Sequence, residues 1–297
     1  MRITNKVLVR GYLGDLSRNL EGMRKYEDQL SSGHEIRRPS DDPFRVARTM
    51  ELTSSIAANE RYGKNIEEGL GWVNTIDTAL GQIGDSLQTV REKMIAAGGA
   101  YSKDEREAVY KHVKQIKEQI VQIANSAYDG RYVFAGDKTT EPPFQLNDDG
   151  TVLYKGSKEG LIKEMSPGVK MDIGISGSVF SNDPSVSSEG NIFKVITDVL
   201  DKLKNNESPA DLLGDFDKQF NEILRLRADI GAKQNRLGDM KEKNESENFN
   251  MTELLSKTYD IDVAKKYMEF KVMESVYQAS LNVGTKILQP SMLDYLR

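Results

Sequence analysis

The sequence predicts a mainly α-helical protein with a small β insertion, in which the N- and C-terminal regions form a long antiparallel helical bundle or coiled coil. Proline, which breaks helices, is absent from the 98 residues between Pro43 and Pro142 and from the 80 residues between Pro209 and Pro290. Apolar residues recur there in alternating steps of three and four, the spacing of a coiled-coil seam. Residues 130–190 instead hold nine of the 24 glycines and four of the eight prolines, which is typical of turns and short strands.

The first element is an N-terminal helix that we expect to end near Gly33. Its apolar residues follow the heptad spacing with one lapse at Glu27, and the helix cannot cover this stripe alone. We therefore expect the stripe to bind the other end of the chain or another subunit. The candidate assembly residues in this helix are Val9, Leu13, Leu16, Leu20, Met23 and Leu30.

Two long helices should follow, paired antiparallel about a break at Gly98-Gly99. Ser102 and Glu105 have the spacing of a capping box, which places the start of the second helix. Asp41-Asp42 before Pro43 is interpreted as the N-cap of the first. The two seams comprise Val73, Ile76, Leu80, Ile83, Leu87, Val90, Met94 and Ala97, and then Val109, Val113, Ile116, Ile120, Ile123 and Ala127.

The glycine-rich middle predicts short strands joined by turns at Asp149-Gly150 and Pro167-Gly168. We expect the last two strands to form a hairpin in which Ile162 and Glu164, and then Met171, Ile173 and Ile175, alternate as in a one-sided sheet. Because so few strands are marginal alone, the module should pack on the helical body. The predicted strands are 132–134, 151–154, 161–165 and 169–175.

A third long helix is predicted after the module, and two of its in-register positions are polar. Arg227 and Gln234 either fix the register of the helix or mark a partly exposed seam. Its apolar positions are Leu213, Phe216, Phe220, Ile223, Ile230 and Leu237.

The C-terminal helix has a mean apolar spacing of about 3.7 residues, which predicts a straight helix or a slight right-handed coil. Like the N-terminal helix, it needs a partner to remove its stripe from water. The candidate assembly residues in this helix and the tail beyond it are Ile261, Met268, Val272, Val276, Val283, Ile287, Leu293 and Leu296.

These elements predict five segments. They are an N-terminal assembly helix at 1–42, the first part of the helical core at 43–135, the β-rich module at 136–188, the second part of the core at 189–249, and a C-terminal assembly helix at 250–297.

The composition argues against most kinds of catalytic, metal-binding and nucleic-acid-binding site. Cysteine is absent and only two histidines occur, which excludes thiol chemistry and leaves few metal ligands. His34-Glu35 begins like a zinc-binding helix, but Arg38 stands where the second histidine is needed. The net charge of -5 argues against nucleic-acid binding, and no apolar run is long enough to cross a membrane. We therefore expect neither an enzyme nor a cofactor- or metal-binding protein.

Several segments together resemble the flagellin superfamily. Residues 30–43, LSSGHEIRRPSDDP, are similar to the signature that follows its first helix, and residues 87–92, LQTVRE, to its long-helix motif. Residues 230–237, IGAKQNRL, and 279–296, ASLNVGTKILQPSMLDYL, also match. Within the superfamily, the PSDDP of the first segment and the PSMLDYL of the last favour the branch that joins the hook to the filament over the filament flagellins.

The resemblance implies a structural subunit of the bacterial flagellum that is exported unfolded by the flagellar type III system and whose ends fold on assembly. Its implied partners are further copies of itself in a ring, hook-associated protein 1, flagellin and an export chaperone. The implied location is extracellular, in the flagellum, after a cytoplasmic phase with the chaperone. A filament flagellin is the alternative, and a cytoplasmic coiled-coil scaffold unrelated to flagella is a more distant one.

Overall fold

The predicted fold class is confirmed by the structure, a computed structural model that describes residues 5–98, 102–147, 150–180 and 192–287. The long proline-free tracts form long helices, as their spacing predicts. The helices are α1 (Asn5–Ser32), α2 (Pro43–Ala97), α3 (Lys103–Ala124), α4 (Ile192–Lys204), α5 (Leu213–Tyr259) and α6 (Val263–Ile287), with short 3₁₀ turns at Gly177–Phe180 and Ala210–Leu212.

The described residues contain three antiparallel hairpins, of which two lie in the module and one lies just before it, after α3. The last of them turns at residues 166–168 as predicted, with Ser166 paired to Val169 and Gly168 at a φ of +74°. The pairs are β1 (Ala127–Tyr128) with β2 (Arg131–Tyr132), β3 (Phe144–Leu146) with β4 (Val152–Tyr154), and β5 (Ile162–Ser166) with β6 (Val169–Asp172).

In the last hairpin the common buried face expected for Met171, Ile173 and Ile175 is confirmed, whereas the face expected for Ile162 and Glu164 is wrong. Ile162 pairs with Asp172 and is 64% exposed, whereas Met171 pairs with Lys163 and is buried. Because directly opposed residues share a face, Ile162 lies on the side away from Met171. A register irregularity between Glu164 and Ser166 accompanies this arrangement, and Met165 is the residue of β5 that is fully buried.

The chain forms two compact units. The terminal unit comprises the described residues up to Ala58 and from Asn248 onward, and the central unit comprises Asn59–Glu247. Helices α2 and α5 contribute residues to both.

The central unit has one hydrophobic core, into which the predicted seam of α2 and the α3 seam from Val109 to Ile120 are buried together with residues of α4, α5 and the module. Ile123 is partly buried against this core, whereas Ala127 is exposed and lies in β1, so the predicted α3 seam is wrong at its last position. Every α2 seam position from Val73 to Ala97 is fully buried. The capping box at the start of α3 is confirmed. The Glu105 backbone N donates to Ser102 Oγ at 3.3 Å, and the Ser102 backbone N donates to Glu105 Oε2 at 2.7 Å.

The two polar positions of α5 form bonds to α2. Arg227 Nε lies 3.0 Å from Asp77 Oδ1, and Gln234 Nε2 donates to Asn74 Oδ1 at 2.8 Å. Arg227 and Gln234 are also exposed, as expected for a partly exposed seam. The buried positions of α5 are spaced by seven and are Phe216, Ile223, Ile230 and Leu237.

An aromatic cluster attaches the module to the helices of the central unit. The Phe134 ring meets Phe180 edge-on with centroids 5.6 Å apart, and Phe144 lies 5.7 Å from Phe193 of α4. Lys117 of α3 adds a polar attachment, since its Nζ donates to the carbonyl of Gly150 and to Thr197 Oγ1. Burial lowers the pKa of Lys117 below its ordinary value.

Gly136, in the module, occupies a position that only glycine fits. Its φ is +70°, and a Cβ there would lie 2.5 Å from the carbonyl oxygen of Ser157 and 2.7 Å from that of Glu159. We expect Gly136→Ala to lower the free energy of unfolding of the central unit by about 1–3 kcal/mol, measured by urea denaturation. Gly231→Ala, in α5 with open space at the Cβ, is the matched control and should stabilise by about 0.5–1 kcal/mol. Equal effects of the two changes would contradict the expectation.

Candidate assembly interface

Helices α1 and α6 pair within the terminal unit through polar, aromatic and small residues. Tyr12 Oη donates to the carbonyl oxygen of Ser280 at 3.1 Å, and Asn19 Nδ2 donates to Ser280 Oγ at 3.0 Å. Lys266 Nζ lies 5.5 Å from the centre of the Tyr26 ring and 3.0 Å from Glu35 Oε1. These contacts fix the face that each helix presents to the other.

Two helical glycines make room for this pairing. At Gly22 a Cβ would lie 3.1 Å from Met273 Cε, and at Gly284 it would overlap the Tyr12 phenol. Glycine costs about 1 kcal/mol relative to alanine in a helix interior. The gain from close approach therefore explains why glycine stands at both positions.

The aliphatic stripe predicted on α6 lies on a different face and is open to solvent. We call Met268, Val272, Val276 and Val283 the α6 ridge, and their exposed fractions are 62%, 64%, 43% and 51%. At 100° per residue, the centre of this ridge lies about 120° around the helix from the face that contacts α1. Helix α6 thus has one face for α1 and a second, aliphatic face without a described partner.

The stripe predicted on α1 is only half covered. Leu13 is 52% exposed, whereas the other five predicted residues, Val9, Leu16, Leu20, Met23 and Leu30, are partly exposed.

An apolar groove of about 570 Å³ lies between α1 and α6 beside these residues. Val7, Leu8 and Leu16 line it from α1, and Val276 and Val283 line it from α6. The groove thus brings together members of both predicted stripes.

The remaining predicted residues lie toward the two ends of α6. Ile261 is partly buried in the segment between α5 and α6, where its backbone N donates to the carbonyl of Gly33 at 3.1 Å. Ile287 is the last residue of α6, and Leu293 and Leu296 lie outside the described residues.

The loop after α1 joins the segment between α5 and α6 through a backbone clasp. The Glu35 backbone N donates to the carbonyl of Tyr259 at 2.8 Å, beside the bond from Ile261 to Gly33. The His34 ring stacks on Tyr259 with centroids 3.9 Å apart, and its Nδ1 lies 3.2 Å from Asp260 Oδ1. His34 therefore packs against Tyr259 and Asp260, in the segment that leads from α5 to α6.

The two aspartates that end this loop bond to backbone N–H groups. Asp41 Oδ2 accepts from Arg38 N at 2.9 Å and from Arg37 N at 3.4 Å, and the first bond holds the pKa of Asp41 below its ordinary value. Asp42 Oδ1 accepts from Arg45 N at 3.1 Å, and α2 begins at Pro43, which confirms the expected N-cap.

Sequence reasoning missed the residues that join α1 to α6. Tyr12, Asn19, Ser280 and Gly284 are polar or small, and a search for apolar periodicity passes over them. A usable signal was present, because residues 12, 19 and 26 follow a heptad series, as do 277 and 284.

Among the described residues, no group of three or more His, Asp or Glu side chains is arranged to hold a metal ion. Within the same ranges no helix has the length and apolar character needed to cross a membrane.

Comparison with known proteins connects this geometry to a family. Residues 11–139 match the family model described as the bacterial flagellin N-terminal helical region. The chain is 26% identical to flagellar hook-associated protein 3 of Salmonella typhimurium over the full length of both proteins. It is also 26% identical to flagellin of Bacillus subtilis, with 94% of each chain covered.

A solved structure shares the fold. The flagellar junction protein FlgL from Legionella pneumophila superposes with a TM-score of 0.57 at 16% identity, covering 73% of this chain and all of that one. The similarity in sequence to flagellar hook-associated protein 3 extends from end to end, including both helices of the terminal unit. Residues 11–139 thus match the bacterial flagellin N-terminal helical region, and the chain as a whole is similar to structural proteins of the bacterial flagellum.

Proposed function

We propose that the chain is the subunit that joins the flagellar hook, through hook-associated protein 1, to the flagellin filament. The observation that carries this proposal is the full-length similarity to flagellar hook-associated protein 3. The junction role also accords with the PSDDP and PSMLDYL segments at the two ends of the sequence. The proposal includes secretion by the flagellar type III system and assembly of several copies into a ring.

The α6 ridge and the α1–α6 groove supply a surface for such assembly. Full burial of a valine or methionine side chain stabilises a complex by about 1.5–3 kcal/mol, so four half-exposed ridge residues form a strong binding face. We assign the ridge to neighbouring subunits in the flagellum and, before export, to a chaperone that binds an amphipathic helix in a groove. The assembly segments are then residues 1–42 and 250–297, which hold all 14 predicted site residues.

The ends are proposed to fold only on assembly. Among the described side chains of α1 and α6, no apolar side chain is fully buried, so their pairing gains little from the hydrophobic effect. Ordering a residue costs about 1–2 kcal/mol, and α1 and α6 contain 28 and 25 residues. Burial against further subunits would offset that cost.

Circular dichroism tests the coupled folding. The isolated full chain and a variant restricted to residues 43–249 are expected to contain the same number of helical residues per molecule, because the ends are disordered before assembly. A full chain with the additional helix of α1 and α6, whose 28 and 25 residues would be visible in the signal, would overturn this proposal. The signal of both proteins is compared at equal molar concentration.

Deletion of the gene tests the junction role. The expected cells carry hooks without filaments and release flagellin into the medium, because the filament has no subunit to join. Expression of the intact chain from a plasmid restores filaments in the control. Normal filaments in the deletion strain would contradict the proposal.

A filament flagellin is the second candidate, favoured by the 26% identity to Bacillus subtilis flagellin. It predicts a different behaviour of the purified protein. A flagellin polymerises by itself into long filaments, whereas the junction subunit is expected not to. Electron microscopy of the concentrated protein distinguishes the two.

A further inference from the structure

The seam between α2 and α5 contains a reciprocal pair of asparagines. Asn59 Nδ2 donates to the carbonyl oxygen of Asn244 at 2.9 Å, and Asn244 Nδ2 donates to the carbonyl oxygen of Asn59 at 3.0 Å. Asn244 Nδ2 also lies 2.7 Å from Asn59 Oδ1. Asn59 is 7% exposed, so this bonding satisfies an amide that water barely reaches.

Both asparagines occupy positions in the heptad repeats of α2 and α5 at which the other residues are apolar. Asn59 precedes a series of buried α2 residues spaced by seven, and Asn244 follows a series of buried α5 residues with the same spacing. The series are Ile66, Val73, Leu80, Leu87 and Met94 on α2, and Phe216, Ile223, Ile230 and Leu237 on α5.

The apolar series alone do not define one register. Because each repeats every seven residues, a slide of one heptad, about 10.5 Å along the axis, again places apolar residues opposite apolar residues. The same slide moves Asn59 opposite Leu237 or Met251, whose side chains carry no amide, so Asn59 Oδ1 loses the bond from Asn244 Nδ2. A buried amide without hydrogen bonds is strongly unfavourable, and one asparagine within a coiled-coil seam can specify register.

We propose that Asn59 and Asn244 select the register in which α2 and α5 pair, from among the heptad-related registers that the apolar seams would accept. The outer pairs, Arg227 with Asp77 and Gln234 with Asn74, bond in this same register. They lie at an exposed edge, and the other two described ion pairs that join α2 to α5, Arg91 with Asp217 and Lys241 with Glu67, are also more than a third exposed. Solvent weakens such interactions, so the buried asparagine pair is the determinant.

Pulsed electron paramagnetic resonance on the full chain measures the register directly. Since the natural sequence has no cysteine, Gln88→Cys on α2 and Asp239→Cys on α5 carry the only two spin labels, both at exposed positions. The chain with both asparagines should give one narrow distance distribution. Asn59→Leu with Asn244→Leu should add a second population, displaced by on the order of 10 Å, the rise of one heptad. A single unchanged distance would overturn the proposal.

Two further variants test the proposal even if the double leucine variant does not fold. Moving the pair by one heptad, with Asn59→Ile, Ile66→Asn, Leu237→Asn and Asn244→Leu, retains the register of opposed residues and should restore one distance. Persistence of two distances in this relocated variant would refute the assignment. Asn74→Ala with Gln234→Ala is the matched control and should keep one distance, and a second population there would assign the register to the outer pairs instead.

Discussion

Phe134→Ala is expected to lower the free energy of unfolding of the central unit by about 3–5 kcal/mol. Phe134 is fully buried, and its ring packs edge-on against Phe180. Truncation removes the transfer free energy of the ring and leaves a cavity that the surrounding aromatic side chains fill only in part. The loss is measured from the midpoint and slope of a urea denaturation curve followed by the fluorescence of Trp72, which lies in the same core.

Phe44→Ala makes the same chemical change on the surface. Phe44 is 90% exposed, so its truncation should change stability by no more than about 0.5 kcal/mol. If Phe134→Ala were as mild as this control, the module would not be packed on the helical core through its aromatic cluster.

If the α6 ridge binds the proposed export chaperone, Val272→Asp with Val276→Asp is expected to weaken that binding by at least about 100-fold and to prevent the proposed assembly into the flagellum. Burying an unpaired carboxylate in an apolar interface costs several kcal/mol, and each 1.4 kcal/mol is a factor of ten in affinity. The two residues are 64% and 43% exposed in the chain alone, so the changes should leave its own fold intact. A pull-down measures chaperone binding, and microscopy of filaments measures assembly.

The control places the same two substitutions elsewhere on α6. Gln278 and Asn282 are exposed and lie away from both the ridge and the face that contacts α1. Gln278→Asp with Asn282→Asp changes the net charge and helix propensity in a similar way, and should leave binding near its normal value. Unchanged chaperone binding in the ridge variant would remove the ridge from that role.

The parts of the fold that the sequence predicted best are those in which burial and periodicity coincide. The α2 seam repeats in steps of three and four, and each of its positions from Val73 to Ala97 is buried. The capping box at Ser102 was also readable, because its chemistry is local. In the α2 seam and in the capping box, the residues that make the contacts are the same residues that the sequence pattern identifies.

The parts that could not be predicted depend on partners distant in sequence. The face of α6 that contacts α1 was missed because it depends on residues distant in sequence. Ser280 and Gly284 contact Tyr12 and Asn19, which lie more than 250 residues earlier in the chain. Ile162 was placed on the wrong face because its register with Asp172 depends on the irregularity near the turn. The spacing of Val272 and Val276 predicted an aliphatic stripe on α6, but it could not show that a second face of the helix contacts α1.

The backbone clasp joins residues 33–35, which are synthesised early in translation, to residues 259–261, which are synthesised late. A ribosome releases the N-terminal helix first, and Tyr259 and Ile261 emerge only after most of the polypeptide has been synthesised. Throughout that interval α1 has no access to the segment that holds its C-terminal end. The terminal unit is therefore built from long-range contacts, which form slowly and cannot form at all on a nascent chain that lacks roughly its last 40 residues.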